Sequence, residues 1–105
     1  MDRHSVQWRG YIPAITTPFT GDGALDLDAL DRLLGWLHRE RMHGIIIGGS
    51  TGEYYAQSAQ ERKALAEHAR QVIGTRLPLI VGTGATRTED AVDYAKHARE
   101  IKADA

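Results

Sequence analysis

The chain has 105 residues, enough for one small domain, and 42% of them are hydrophobic, so a buried core is within reach. Its net charge is −1, with 13 basic and 14 acidic residues mixed along the chain, which leaves no basic face or tail for nucleic acid. The absence of cysteine excludes a disulfide framework and a thiolate metal site, and no apolar run is long enough to span a membrane.

In chain order, the opening Met1-Asp2-Arg3-His4-Ser5-Val6-Gln7-Trp8 lacks the apolar core of a secretory signal, so the expected location is the cytoplasm. Tyr11 to Thr16 reads as a short strand that closes at Thr17-Pro18-Phe19 and turns at Gly21-Asp22-Gly23. Asp26 is placed to cap a helix, with Leu27, Leu30, Leu33, Leu34 and Leu37 on one face and an Asp28–Arg32 pair outside. Gly44 to Ile47 starts the next strand. Three consecutive isoleucines, without alternation, predict a strand buried on both faces of a parallel sheet.

Ser58-Ala59-Gln60-Glu61 has capping-box spacing and opens a second helix with Leu65, Ala69, Val72 and Ile73 as its apolar stripe and Gly74 as its stop. Leu79-Ile80-Val81 makes a third strand. Thr86-Arg87-Thr88-Glu89 repeats the capping-box spacing before a third helix, with Ala91, Tyr94, Ala95, Ala98 and Ile101 inward. Thr16, Ser50 and Thr83 each follow a strand, at intervals of 34 and 33 residues by subtraction. A (β/α)8 barrel of about 250 residues needs about 31 per unit. The fold expected is therefore α/β, the first three βα units of a TIM barrel with parallel strands and outer helices. Residues 1–105 would be one partial domain, with a further strand beginning near Ala105. A complete small open-sheet α/β domain is the plainer alternative.

The chemistry concentrates in Gly48-Gly49-Ser50-Thr51-Gly52-Glu53. Glycines at a strand end let the backbone turn and let a ligand reach the peptide N–H groups. Two hydroxyls there suit a carboxylate or phosphate, because they donate without adding a competing charge. The plain reading is that Ser50 and Thr51 only cap a turn. Other motifs fail on spacing. Gly82-Thr83-Gly84-Ala85-Thr86-Arg87 has arginine where a dinucleotide fingerprint needs its third glycine, and Gly48–Gly52 lacks the lysine of a P-loop. Asp22, Asp26 and Asp28 do not form a calcium loop, and the five histidines lack paired zinc spacing. No metal is called for. Trp8 and Trp36 read as packing groups.

Gly10 to Phe19, Gly49-Ser50-Thr51-Gly52-Glu53 and Gly82-Thr83-Gly84-Ala85, in that order and spacing, resemble the opening signatures of the dihydrodipicolinate synthase / N-acetylneuraminate lyase family. The resemblance runs from about Arg9 to the end of the chain. It implies a TIM-barrel, pyruvate-dependent class I aldolase or lyase that needs no cofactor and is commonly a tetramer, with pyruvate or another 2-keto acid as partner. Ser50 and Thr51, with Gly49 and Gly52, would hold the substrate carboxylate, and the hydroxyls would join a proton relay with tyrosines. The family's Schiff-base lysine and catalytic tyrosine lie on later strands. Lys63, Lys96 and Lys102 fall in helical stretches, so the 105-residue chain alone is expected to be inactive. Tyr54 and Tyr55 could line the substrate path, and Glu53 is expected to orient the loop as a hydrogen-bond acceptor. Ser50 with Gln57-Ser58 resembles the lyase branch and Gly82 to Ala85 the synthase branch, so the second substrate stays open. A small anion-binding module, or a non-catalytic remnant, would share the same glycine loops.

Overall fold

The computed structural model describes residues 3–105; Met1 and Asp2 of the opening segment lie outside the described residues. Among these residues the order is α1 (Leu27–Arg39), β1 (Ile45–Ile47), a 3-10 turn (Tyr54–Ala56), α2 (Ala59–Ile73), β2 (Leu79–Val81) and α3 (Thr88–Glu100). β1 and β2 are parallel, with Ile45 opposite Leu79, Ile46 opposite Ile80 and Ile47 opposite Val81.

The expected first strand, Tyr11–Thr16, is reduced to one parallel bridge, Ala14 with Ile46. Ile15 N–H donates to Ile46 O at 3.0 Å, and Ile46 N–H donates to Pro13 O at 2.9 Å. The next rung would need a donor from residue 13, and proline has none. His43 meets the chain there instead, its N–H donating to Tyr11 O at 2.7 Å while its Nδ1 accepts from Tyr11 N–H at 3.0 Å.

Each helix begins where its sequence supplies a reason, except the last. Asp26 Oδ1 accepts from Ala29 N–H at 2.9 Å and caps α1. Ser58 and Glu61 form the reciprocal capping box of α2, at 3.1 and 3.0 Å. Gly74 ends α2 at φ 53°. The box expected at Thr86–Glu89 does not form. Arg87, not Thr86, is the N-cap of α3 and makes no side-chain cap; that arginine pairs with Glu89 and Asp90 instead. Asp28 and Arg32 make no ion pair among the described residues; Asp31 reaches His68 at 2.5 Å and ties α1 to α2. Glu67–His97 at 2.8 Å and Lys63–Asp93 at 2.6 Å tie α2 to α3.

The helices cover one face of the sheet. Ile45, Ile47 and Leu79 are buried with Ile15, Leu30, Leu34, Leu37, Leu65, Ala66, Ala69 and Ile73. The other face is partly open: Ala14 is exposed, and Ile46 and Ile80 are only half-buried. Burial on both faces of β1, expected from its apolar run, is thus met on one side. On α3, Ala95 is exposed while Ala98 is buried, and Lys102 lies in the turn after the helix rather than within it. Trp8 and Trp36 are 41% and 49% exposed, so neither is the packing group its type suggested.

The last residues run along the free edge of β2. Asp104 N–H donates to Leu79 O at 2.9 Å, and Val81 N–H donates to Ala105 O at 2.9 Å. These contacts lie where a further strand is expected, but residues 103–105 form no strand or bridge. Asp104 is 3% exposed, accepts from Leu79 N–H at 2.9 Å and pairs with Arg70 at 2.7 Å.

β1 and β2 end in near contact. Gly82 N–H donates to Ile47 O at 2.8 Å, and a Cβ on Gly82 would lie 2.2 Å from Gly48 O. Glycine at 82 is required by crowding. Glycine at 48 is required by its left-handed φ of +66°, since no neighbour comes closer than 3.6 Å to the place a Cβ would take.

These contacts rank the cost of substitutions. Asp104→Ala is expected to cost about 3 kcal/mol, since it strands a buried amide and takes the ion partner from the half-buried Arg70, whereas Asp104→Asn keeps an acceptor for Leu79 and costs less. Equal losses in chemical denaturation would assign the whole effect to the Arg70 pairing. Gly48→Ala is expected to cost about 1 kcal/mol from its left-handed backbone. Gly82→Ala is expected to cost about 2–3 kcal/mol because backbone has to move. The reverse order in urea melts would contradict the crowding argument.

Candidate functional site

The turns after the strands gather at one rim of the sheet. Gly48 leaves β1 in a left-handed conformation, and the chain folds into consecutive tight turns. Gly52 N–H donates to Gly49 O at 3.1 Å, and Glu53 N–H donates to Ser50 O at 3.0 Å. Glu53 itself is left-handed, at φ 58°, and launches the 3-10 turn. Ser50 and Thr51 sit at the outer bend, both exposed. Among the described residues neither hydroxyl has a protein partner, and neither do the two N–H groups. The hydroxyls expected to bind an anion are therefore presented to solvent and not consumed by the turn.

What fixes this turn is not evident from sequence. Thr17 is buried, and its hydroxyl donates to Gly52 O at 2.7 Å. Gln57 Nε2 donates to the same carbonyl at 2.8 Å and to Thr17 Oγ1 at 3.3 Å. Gly52 is buried beneath them; a Cβ there would lie 3.2 Å from Ile15 O and from Thr17 Oγ1. Gly52 is thus crowded from beneath, whereas a Cβ on Gly49 would meet open space, and the loop after the first strand locks the loop after β1. Glu53 takes part only through its backbone. Its carboxylate is exposed and accepts from no loop amide among the described residues, contrary to the role expected for it.

Arg62 is a second residue that no motif marks. It is only 8% exposed, on α2. Nη1 donates to Gly84 O at 2.9 Å and Nη2 to Gly82 O at 3.1 Å. Its guanidinium carbon stands 3.7 Å from the ring centre of Tyr94 and 5.0 Å from that of Tyr54. Arg62 lies three residues before Leu65 and seven before Ala69, in register with the apolar stripe. A charged residue in that register is the available signal of a buried partner.

Tyr54 and Tyr55 diverge. Tyr54 is half-buried and packs over Gly84, where a Cβ would lie 3.3 Å from its Cζ; Tyr55 is 70% exposed and meets Tyr54 edge-on at 5.7 Å. Thr83 borders a groove along β2 and α3, but Ser50 and Thr51 do not. Of the lysines, Lys63 has its pKa raised, chiefly by the hydrogen bond to Asp93, and Lys96 is exposed on α3. Among the described residues no cluster of histidine and carboxylate groups could hold a metal ion, and no helix is long and apolar enough to cross a membrane.

This arrangement agrees with known proteins at the level of both sequence and fold. Residues 7–105 match the Dihydrodipicolinate synthetase family. An uncharacterized DapA-like lyase of Pyrococcus horikoshii is 43% identical over 95 residues, which cover 90% of this chain and 32% of that protein. YagE, a prophage protein of the dihydrodipicolinic acid synthase family from E. coli K12 solved in complex with pyruvate, superposes with a TM-score of 0.89 at 35% identity over 92% of this chain and 33% of its own. N-acetylneuraminate lyase from Mycoplasma synoviae superposes with a TM-score of 0.88 at 33% identity over 93% of this chain and 34% of its own. The chain spans about one third of the length of these relatives. Its α/β architecture is an incomplete portion of their TIM barrel, with parallel strands inside and helices outside. The chain belongs to the dihydrodipicolinate synthetase family of lyases and aldolases, of which it carries the N-terminal portion.

Proposed function

We propose that the chain supplies the carboxylate-binding rim of a Schiff-base-forming pyruvate or 2-keto-acid aldolase or lyase. The observation that carries this reading is the pair of unpartnered, exposed hydroxyls of Ser50 and Thr51 on a turn pinned from beneath by Thr17 and Gln57. A carboxylate needs several converging donors. The hydroxyls and N–H groups of Ser50 and Thr51, in the turn framed by Gly49 and Gly52, offer them. The YagE structure, which shares this fold, is a complex with pyruvate, and this supports pyruvate as the ligand. In the proposed reaction an amine condenses with the keto carbon of pyruvate, water leaves, and loss of a proton gives the enamine that attacks an aldehyde; the lyase direction reverses this. Ser50 and Thr51 hold the acid end, and a hydroxyl of the pair relays a proton.

The amine lies elsewhere than in this chain. Lys63 is held as an ammonium by Asp93, and a protonated amine is no nucleophile. Lys96 and Lys102 lie on or just after α3, on the helical layer rather than at the strand ends. By the same family reading the complete enzyme is a cytoplasmic homo-oligomer that uses no cofactor.

Incubation of the 105-residue chain with pyruvate and borohydride is expected to leave its mass unchanged. A stable adduct on Lys63, Lys96 or Lys102 would overturn the assignment of the amine. Titration with pyruvate is expected to show saturable binding that Ser50→Ala and Thr51→Ala each weaken about tenfold, the worth of one hydrogen bond to a charged group. Unchanged affinity in both variants would remove the rim from the site.

A further inference from the structure

We propose that Arg62 is a positioning residue that couples the Ser50–Thr51 turn to the Gly82–Gly84 loop. The inference rests on the carboxylate-binding reading above and adds a residue outside the family signatures that carried it. Arg62 is a nearly buried cation with no carboxylate partner among the described residues. A leucine in its place would continue the stripe of Leu65 and Ala69 and would serve the core better, since burying a charge is costly. Its geometry is spent on the rim instead. The planar fork spans Gly82 O and Gly84 O, while its central carbon lies over the rings of Tyr94 and Tyr54.

The clasp closes through Tyr54. Its ring packs on Gly84, and its N–H donates to Gly49 O at 3.4 Å, at the base of the turn that presents Ser50 and Thr51. Arg62 therefore holds the loop after β2 directly and the turn after β1 through the Tyr54 ring. Lysine cannot reproduce this. It keeps the charge but has neither a plane to stack nor a fork to bridge two carbonyls.

Hydrogen exchange read by mass spectrometry on the full chain tests the coupling, with Arg62→Lys and Tyr94→Leu compared with the unsubstituted protein, with and without pyruvate. In Arg62→Lys, the hydrogen-bonded amides of Gly52, Glu53 and Tyr54 and of Gly82 are expected to exchange about tenfold faster while Ile45–Ile47 and α2 keep their rates. Tyr94→Leu, which removes one ring beside the guanidinium and leaves the fork, is expected to fall between. Pyruvate is expected to slow exchange at 49–54 in the unsubstituted chain and to do so less in Arg62→Lys. Acceleration confined to 82–84 would overturn the coupling. Uniform acceleration would overturn it too, and would reduce Arg62 to a core residue. If pyruvate changes nothing in the unsubstituted chain, the carboxylate reading fails, and the ligand-free comparison still decides the role of Arg62.

Discussion

Where β1 and β2 end, the backbones of Gly48 and Gly82 are so close that no side chain fits at Gly82. The Gly82 N–H donates to Ile47 O across this gap and makes the last rung of the parallel ladder. The loops after both strands leave from this crossing. Their separation is set by backbone contact, not by flexible side chains, so groups mounted on them inherit a fixed spacing. Thr17 and Gln57 on one side and Arg62 on the other hold what the crossing starts.

The two faces of the sheet have different tasks. The outer face is a packed apolar layer of Ile45, Ile47 and Leu79 under α1 and α2, and the three helices are laced together by Asp31–His68, Glu67–His97 and Lys63–Asp93. Exposed pairs of this kind contribute little stability singly but fix which helix faces which. The inner face of Ala14, Ile46 and Ile80 stays partly open. In a closed barrel such residues fill the interior. Ser50 and Thr51 stand beyond the end of β1, exposed to solvent.

Much of this is legible from residue order. The caps of Asp26 and Ser58, the stop at Gly74 and the strand at Leu79–Val81 are local events, decided by residues within a few positions of each other. The family signatures put Ser50 and Thr51 just past a strand end, and the turn after β1 carries them. Legibility fails where a local preference meets a distant partner. Pro13 cuts the first strand to a bridge because the lost donor faces Gly44, far along the chain. Thr86 has capping spacing, yet α3 starts without it. Arg62 carries no motif because its partners, Gly82, Gly84 and Tyr94, are 20 or more residues away.

By itself, then, the order of residues determined the βα repeat, the helix boundaries set by local caps, and the family to which the chain belongs. Periodicity, caps and short signatures act over one or two turns of chain. Only the tertiary structure decided which hydroxyls are free and which are bound. Thr17 is consumed by Gly52, while Ser50 and Thr51 stay open. It also decided that a buried cation would donate to the carbonyls of Gly82 and Gly84. Hydrogen-bond partners across the sheet are chosen by spatial proximity, and proximity is settled only when the strands pair and the helices close over them.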